Sequence, residues 1–218
     1  MTSIELRIIK KDIVFDDSDT NIRIHRALSW LEAAEQAHSI DLAFISSWIG
    51  FNALYSSSEI DNPKQESKKI WNFIRELAYL DHGNLLWSLL CFENAVLAKR
   101  IVANELLFIN FWNSMHNYED SWEDSFFYSN QEIQSFLKDK NIAKYVSAIM
   151  QRIYLLRNQL IHGGATHQGR MNRVQVEDCK TLVMKLLPCM ISIMMQYPKK
   201  NWGELCYPPL FEDKGDNK

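Results

Sequence analysis

From Asn84 to His162 the chain contains neither glycine nor proline. A stretch of that length without the two strongest backbone punctuators is hard to build as anything but helix, because strands and their tight turns draw on both. The periodicity inside it agrees. Ile142, Val146, Ile149, Ile153, Leu156 and Leu160 recur at spacings of 4, 3, 4, 3 and 4, which puts one apolar stripe along a helix that faces a core. Gly163 follows where a left-handed residue ends a helix, so this one is expected to stop near His162.

The polar residues of that helix end are distinctive. At ~100° per residue, Arg157 lies roughly 60° from the centre of the apolar stripe, and Asn158 and His162 lie roughly 160° and 200° from it. Asn158 and His162, an i, i+4 pair, share a face. Arg157 and His162 are about 140° apart and meet only around the helix or through a second copy of it. Each has an ordinary reading. A cation near a helix C-terminus is favoured by the dipole and is commonly solvated, and a histidine before a glycine stop commonly binds the last carbonyls. The three together, closed by Gly163-Gly164, are less easily assigned to capping alone.

The rest of the chain reads as helix after helix. Residues 4–15 hold two apolar bursts among many charges and read as a short strand or extended arm. After a polar turn over 16–21, a helix over 22–37 puts Ile24, Leu28 and Leu31 on one face. Ser39 caps a helix over 40–55 that is apolar nearly all round and is expected to be buried at the centre. On it Trp48, Asn52 and Tyr55 fall at i, i+4 and i+7. A buried asparagine needs hydrogen-bond partners. Two readings are open: a core amide on a neighbouring backbone, or a support for the Arg157 end from a facing helix.

Asn62-Pro63 reads as the N-cap and first position of a helix reaching about residue 80. A turn around Gly83 precedes a long helix over 85–116. An acidic aromatic loop follows over 117–128, either a packed connection or an insertion for specificity or dimer contact. The next helix runs from 130 onward, with Ser129 and Glu132 as its capping box. After the double glycine, residues 165–173 form a turn whose His167, Arg170 and Arg173 are the best candidates for a local basic patch. A last helix over 174–196 is expected to kink at Pro188. The expected fold is all-α, an up-and-down bundle of about five to six helices. It divides into a short extended arm over 1–20, a helical domain over 21–208 and a frayed tail over 209–218.

Composition narrows the function. Hydrophobic residues at 47% and charged residues at 23% suit a soluble globular domain. The net charge of −3 leaves no overall basic footprint, so any nucleic-acid contact rests on a local patch. Cys91, Cys179, Cys189 and Cys206 form no CxxC pair, and the histidines form no HxxxH. Neither a metal nor another cofactor is expected, and unpaired thiols suit the cytoplasm. The charged N-terminus is unlike a signal peptide, and the longest apolar run, 186–195, is interrupted by Pro188 and too short to span a bilayer. No Gly-x-Ser-x-Gly string supports a serine hydrolase.

Arg157-Asn158-x-x-x-His162 resembles the Arg-(four to six residues)-His motif of the HEPN superfamily. The longer string RNQLIHGGAT, from Arg157 to Thr166, resembles its Apea-like branch. So does Trp48-x-x-Phe51-Asn52-x-Leu54-Tyr55 about a hundred residues upstream. The resemblance covers roughly residues 21–208. It implies a metal-independent endoribonuclease with Arg157, Asn158 and His162 in a composite site at a homodimer interface. It further implies RNA as substrate and, in many relatives, a toxin or anti-phage role with an antitoxin partner. The chemistry is consistent. Self-cleavage through the RNA 2′-hydroxyl needs a proton acceptor and a donor, tasks for histidine, and a cation for the extra charge, a task for arginine. The rival reading is a non-catalytic helical module that dimerises or binds a nucleotide or partner.

Overall fold

The computed structural model describes residues 1–57, 63–117 and 122–209. The expectations for Asn62 as an N-cap, for residues 118–121 of the acidic aromatic segment and for a frayed end over 210–218 lie outside the described residues. Among those described the chain is all helical, with ten α-helices rather than five to six, and no strand.

The N-terminal segment is a helix, α1 (Ser3–Lys11), not an extended arm. Thr2 and Glu5 close a capping box on it, and Leu6 is driven fully into the core. Ser3 donates from both its backbone and its hydroxyl to Glu35 of α2 (Ser18–Glu35), and Arg7 pairs with Glu32. Asp17 caps α2 by accepting from the backbone of Asp19 and Thr20. Ser39 caps α3 (Ile40–Tyr55), whose bounds are those expected from the pattern. Helix α3 is the centre of the molecule, with α2 on one side and α10 (Arg173–Met195) on another. Gly50 is what lets them approach. A Cβ there would stand 2.7 Å from Leu187 Cδ2 and 3.3 Å from the Ala27 carbonyl.

Helix α4 (Pro63–Leu80) packs on α9 (Ile142–Ile161), and α8 (Trp122–Lys138) covers α9 from another side. The expected long helix over 85–116 is broken instead into α5 (Leu85–Ser88), a π turn (Leu89–Glu93), α6 (Ala95–Val102), a 3₁₀ turn (Glu105–Leu107) and α7 (Ile109–Asn117). Asparagines make the breaks. Asn94 donates from both backbone and side chain to the Leu89 carbonyl, and Asn104 caps the 3₁₀ turn at Leu106 N. The expected acidic loop is already helical from Trp122, so Ser129 lies inside α8 and caps nothing. Lys140, at φ 53°, separates α8 from α9, where Asn141 caps the new helix.

Residues 200–205 are stapled to the front of the bundle by α2. Arg23, fully buried, donates to the carbonyls of Leu54 and Ser56 and to those of Gly203 and Glu204. Thr20 bonds the Lys200 carbonyl, and Asp19 accepts from Leu205 N. Among the described residues no helix is long and apolar enough to cross a membrane.

Candidate functional site

Helix α9 ends in a crossed pair of backbone bonds. Gly163 N donates to the Leu160 carbonyl at 3.1 Å, and Gly164 N reaches back to Gln159 at 2.7 Å. Both glycines are needed. Gly163 sits at φ +74°, and a Cβ on Gly164 would stand 2.8 Å from the Gln159 oxygen. This stop fixes the turn that carries Arg157, Asn158 and His162. His162 occupies the C-cap, with its backbone N–H on the Asn158 carbonyl and its ring exposed.

Arg157 is half-buried. Its Nη1 donates to Asn158 Oδ1 at 2.9 Å, and its guanidinium lies 5.8 Å from the centre of the Tyr154 ring. The Tyr154 hydroxyl donates to Glu66 of α4 at 2.8 Å. On the other Glu66 oxygen sits Tyr55, 3.0 Å away and also 2.7 Å from Asn52 Oδ1; with one proton it serves one acceptor at a time. Burial first, then Glu66, through its charge at Tyr55 and its hydrogen bond at Tyr154, pushes both phenols above their ordinary range. Trp48, fully buried, leans on Tyr154 at 5.9 Å between ring centres. Asn52 therefore bonds a side chain in a network that ends at Arg157, rather than a neighbouring backbone.

Asn52, Tyr55, Glu66 and Arg157 of this network line a cleft of about 470 Å³. Among the described residues of its lining, Arg26 and Lys69 join Arg157, with one carboxylate, Glu66, beside them. Residues 205–207 close one side, where Arg26 donates to the Tyr207 carbonyl. His162 is not part of this lining, in keeping with its position about 140° around α9 from Arg157.

The loop candidates lie elsewhere. Arg173 grips Asp41 through two bonds of 2.7 and 2.6 Å, and Gln168 N adds a third at 3.2 Å. The Arg173 fork, and then the Gln168 N–H, hold the Asp41 carboxyl below the usual carboxylate range. His167 Nε2 lies 3.1 Å from Ser39 Oγ, and Arg170 is exposed. Asp41 and Tyr55 are fourteen residues apart on α3, about 21 Å along its axis. The predicted residues therefore fall into two groups, Arg157 with Asn158, Asn52 and Tyr55 at one end of α3, backed by Trp48 from its middle, and Arg173 with His167 at the other end. Arg173 is committed to Asp41.

Glu66, Tyr154, Arg26 and Lys69 escaped the sequence reading. Tyr154 carried a signal, lying at i−3 and i−4 from Arg157 and Asn158 on the same helix. The others come from distant helices and carried none. No family model matches this chain, and neither a curated protein nor a solved structure matches it at a significant level. The function has to be argued from the site. Among the described residues no three His, Cys, Asp or Glu side chains gather closely enough to hold a metal ion.

Proposed function

We propose that the chain is a metal-independent endoribonuclease of HEPN type, working as a homodimer that brings two α9 ends into one cleft. The observation that carries this reading is the arrangement at the end of α9. A guanidinium held by Asn158 lines a cleft together with Arg26, and an exposed histidine follows one turn later on the Asn158 face.

In the reaction the RNA 2′-hydroxyl attacks the adjacent phosphate, leaving a 2′,3′-cyclic phosphate and a free 5′-hydroxyl. One group takes the proton from the nucleophile, and another returns a proton to the leaving oxygen. Histidine suits both tasks at neutral pH. Arg157 meets the charge that builds on the phosphate oxygens with a planar fork. Asn158, its oxygen taken by Arg157 and one amide N–H by the Tyr154 hydroxyl, keeps its second N–H for a phosphate oxygen or for the His162 ring. One chain offers one such histidine where the reaction asks for two, and a twofold axis supplies the second. Arg170, exposed on the loop that follows His162, extends the RNA path beyond it, whereas Arg173 and His167 anchor that loop to Asp41 and Ser39. A toxin or anti-phage role, with an antitoxin protein as partner, belongs to the same proposal.

The test is cleavage of tRNA and of an mRNA transcript in EDTA, with wild type beside His162→Ala. Cyclic-phosphate ends from the wild type alone are expected. Sedimentation at the assay concentration reports whether the dimer is present. A dimer that leaves both RNAs intact, and whose RNA binding is absent or indifferent to salt, overturns the proposal in favour of the non-catalytic binding module.

A further inference from the structure

Arg152 lies one and a half turns before Arg157 on α9, and it is 6% exposed. Among the described residues no carboxylate pairs with it. Its Nη2 donates to Ser129 Oγ at 3.1 Å, while its Nε is buried with no hydrogen-bond partner. Two rings flank the guanidinium, Phe108 at 4.5 Å and Phe126 at 5.5 Å. Cation–π contact returns only part of what it costs to take a cation out of water. The charge is under-compensated. Burial lowers the Arg152 pKa to about 10, which still leaves it a cation at neutral pH.

The same guanidinium lines a cavity of about 360 Å³ between α8, α9 and residues 107–109. Lys144 lies on its wall as a second cation, over the Phe136 ring at 5.3 Å. Trp71 enters from α4, half-buried, and among the described residues it stacks on no ring. Glu132 lines the cavity too, without pairing with Arg152. An orphaned buried cation, a second cation and an unstacked indole around one void are the complement of an absent group. Were Arg152 only a spacer between α8 and α9, an apolar side chain of equal length would serve without the desolvation cost.

We propose that this cavity is a binding site for a small organic anion built on a planar ring, with its acid group between Arg152 and Lys144 and its ring on Trp71. Glu132 then offers an acceptor to an amino group on that ring, and selects against a bare inorganic anion. The site is separate from the cleft at Arg157 and stands whether or not the ribonuclease reading does.

Calorimetric titration of the purified chain with adenosine 5′-monophosphate, with benzoate and with inorganic phosphate tests this. The two ring-bearing anions are expected to bind and to raise the melting temperature, and phosphate is not. Binding by one alone still supports the site and narrows which combination of ring and acid it prefers. Lys144→Ala and Trp71→Leu change side chains outside the core and are expected to fold. Each, like the equal-length Arg152→Met, is expected to weaken binding about tenfold or more, the worth of one charge-assisted hydrogen bond or stacked ring. The proposal is overturned if neither ring-bearing anion half-saturates below about 1 mM, the weak end of specific recognition. It is overturned equally if Lys144→Ala and Trp71→Leu bind as the wild type does, or if Arg157→Met is the variant that loses binding.

Discussion

Arg152 and Arg157 are five residues and about 7.5 Å apart along α9. The first is buried among phenylalanines with one serine for a partner. The second is half-exposed, held by Asn158 in a network that continues through Tyr154, Glu66 and Tyr55 to Asn52. Their neighbours differ in kind. Around Arg152 a charge is kept where the packing does not require it. Around Arg157 the packing is polar and the charge is oriented, with one face left to the cleft. The contrast teaches that burial alone does not assign an arginine its role; what its donors are given to does.

The contrast can be broken from either side. The largest effect is expected for Arg157→Lys, since under the proposed ribonuclease mechanism a point charge does not replace a planar fork. The RNA cleavage rate should fall about 10²–10³-fold with the melting temperature unchanged. A wild-type rate would remove Arg157 from the chemistry. Next comes Arg152→Ala, which empties a packed position and should lower the unfolding free energy by about 2–4 kcal/mol, measured in urea. Arg152→Met should be neutral or slightly stabilising without ligand; equal losses in both variants would show that the charge itself holds α8 to α9. Tyr55→Phe takes one hydroxyl from Glu66 and should cost about 1 kcal/mol in the same measurement.

The smallest effect concerns the far end of α3. The folded pKa of Asp41 is depressed, so its contribution is complete above the ordinary carboxylate range and is lost as pH falls through the lowered value. Asp41→Asn should therefore flatten the acid side of the stability profile by about 0.5–1 kcal/mol, compared between neutral and acidic pH. An unchanged slope would mean that other carboxylates set it.

Much of this was legible in the chain and some was not. The bounds of α3 and the stop of α9 followed from a serine cap, a run of apolar residues and a double glycine, all local signals. Helix α1 was hidden because Ile4, Ile8 and Ile9 stay exposed while only Ser3 and Leu6 are buried, so its apolar residues trace no inward stripe. The breaks at Asn94, Asn104 and Lys140 were hidden because side-chain and left-handed solutions did what glycine and proline usually do. At the site, Trp48, Asn52 and Tyr55 shared a visible helix face, whereas Glu66 and Arg26 reach it only through the tertiary fold. Arg152 was visible and passed over. It lies about 40° from Leu156 on the wheel, inside the stripe that marks the core.

Arg23 finds its last acceptors at Gly203 and Glu204, some 180 residues further along the chain. A ribosome adding 5–20 residues per second needs about 10–40 s to cover that distance. For that interval the nascent α2 carries a guanidinium whose partners do not yet exist, and it remains hydrated rather than sealed into the core. The cleft at Arg157 shares this wait, because residues 205–207, which wall one side of it, follow directly after Gly203 and Glu204. Helices α2 and α3 are free to pair early, but the seal on Arg23 and the wall of the cleft are completed together, by the same few residues.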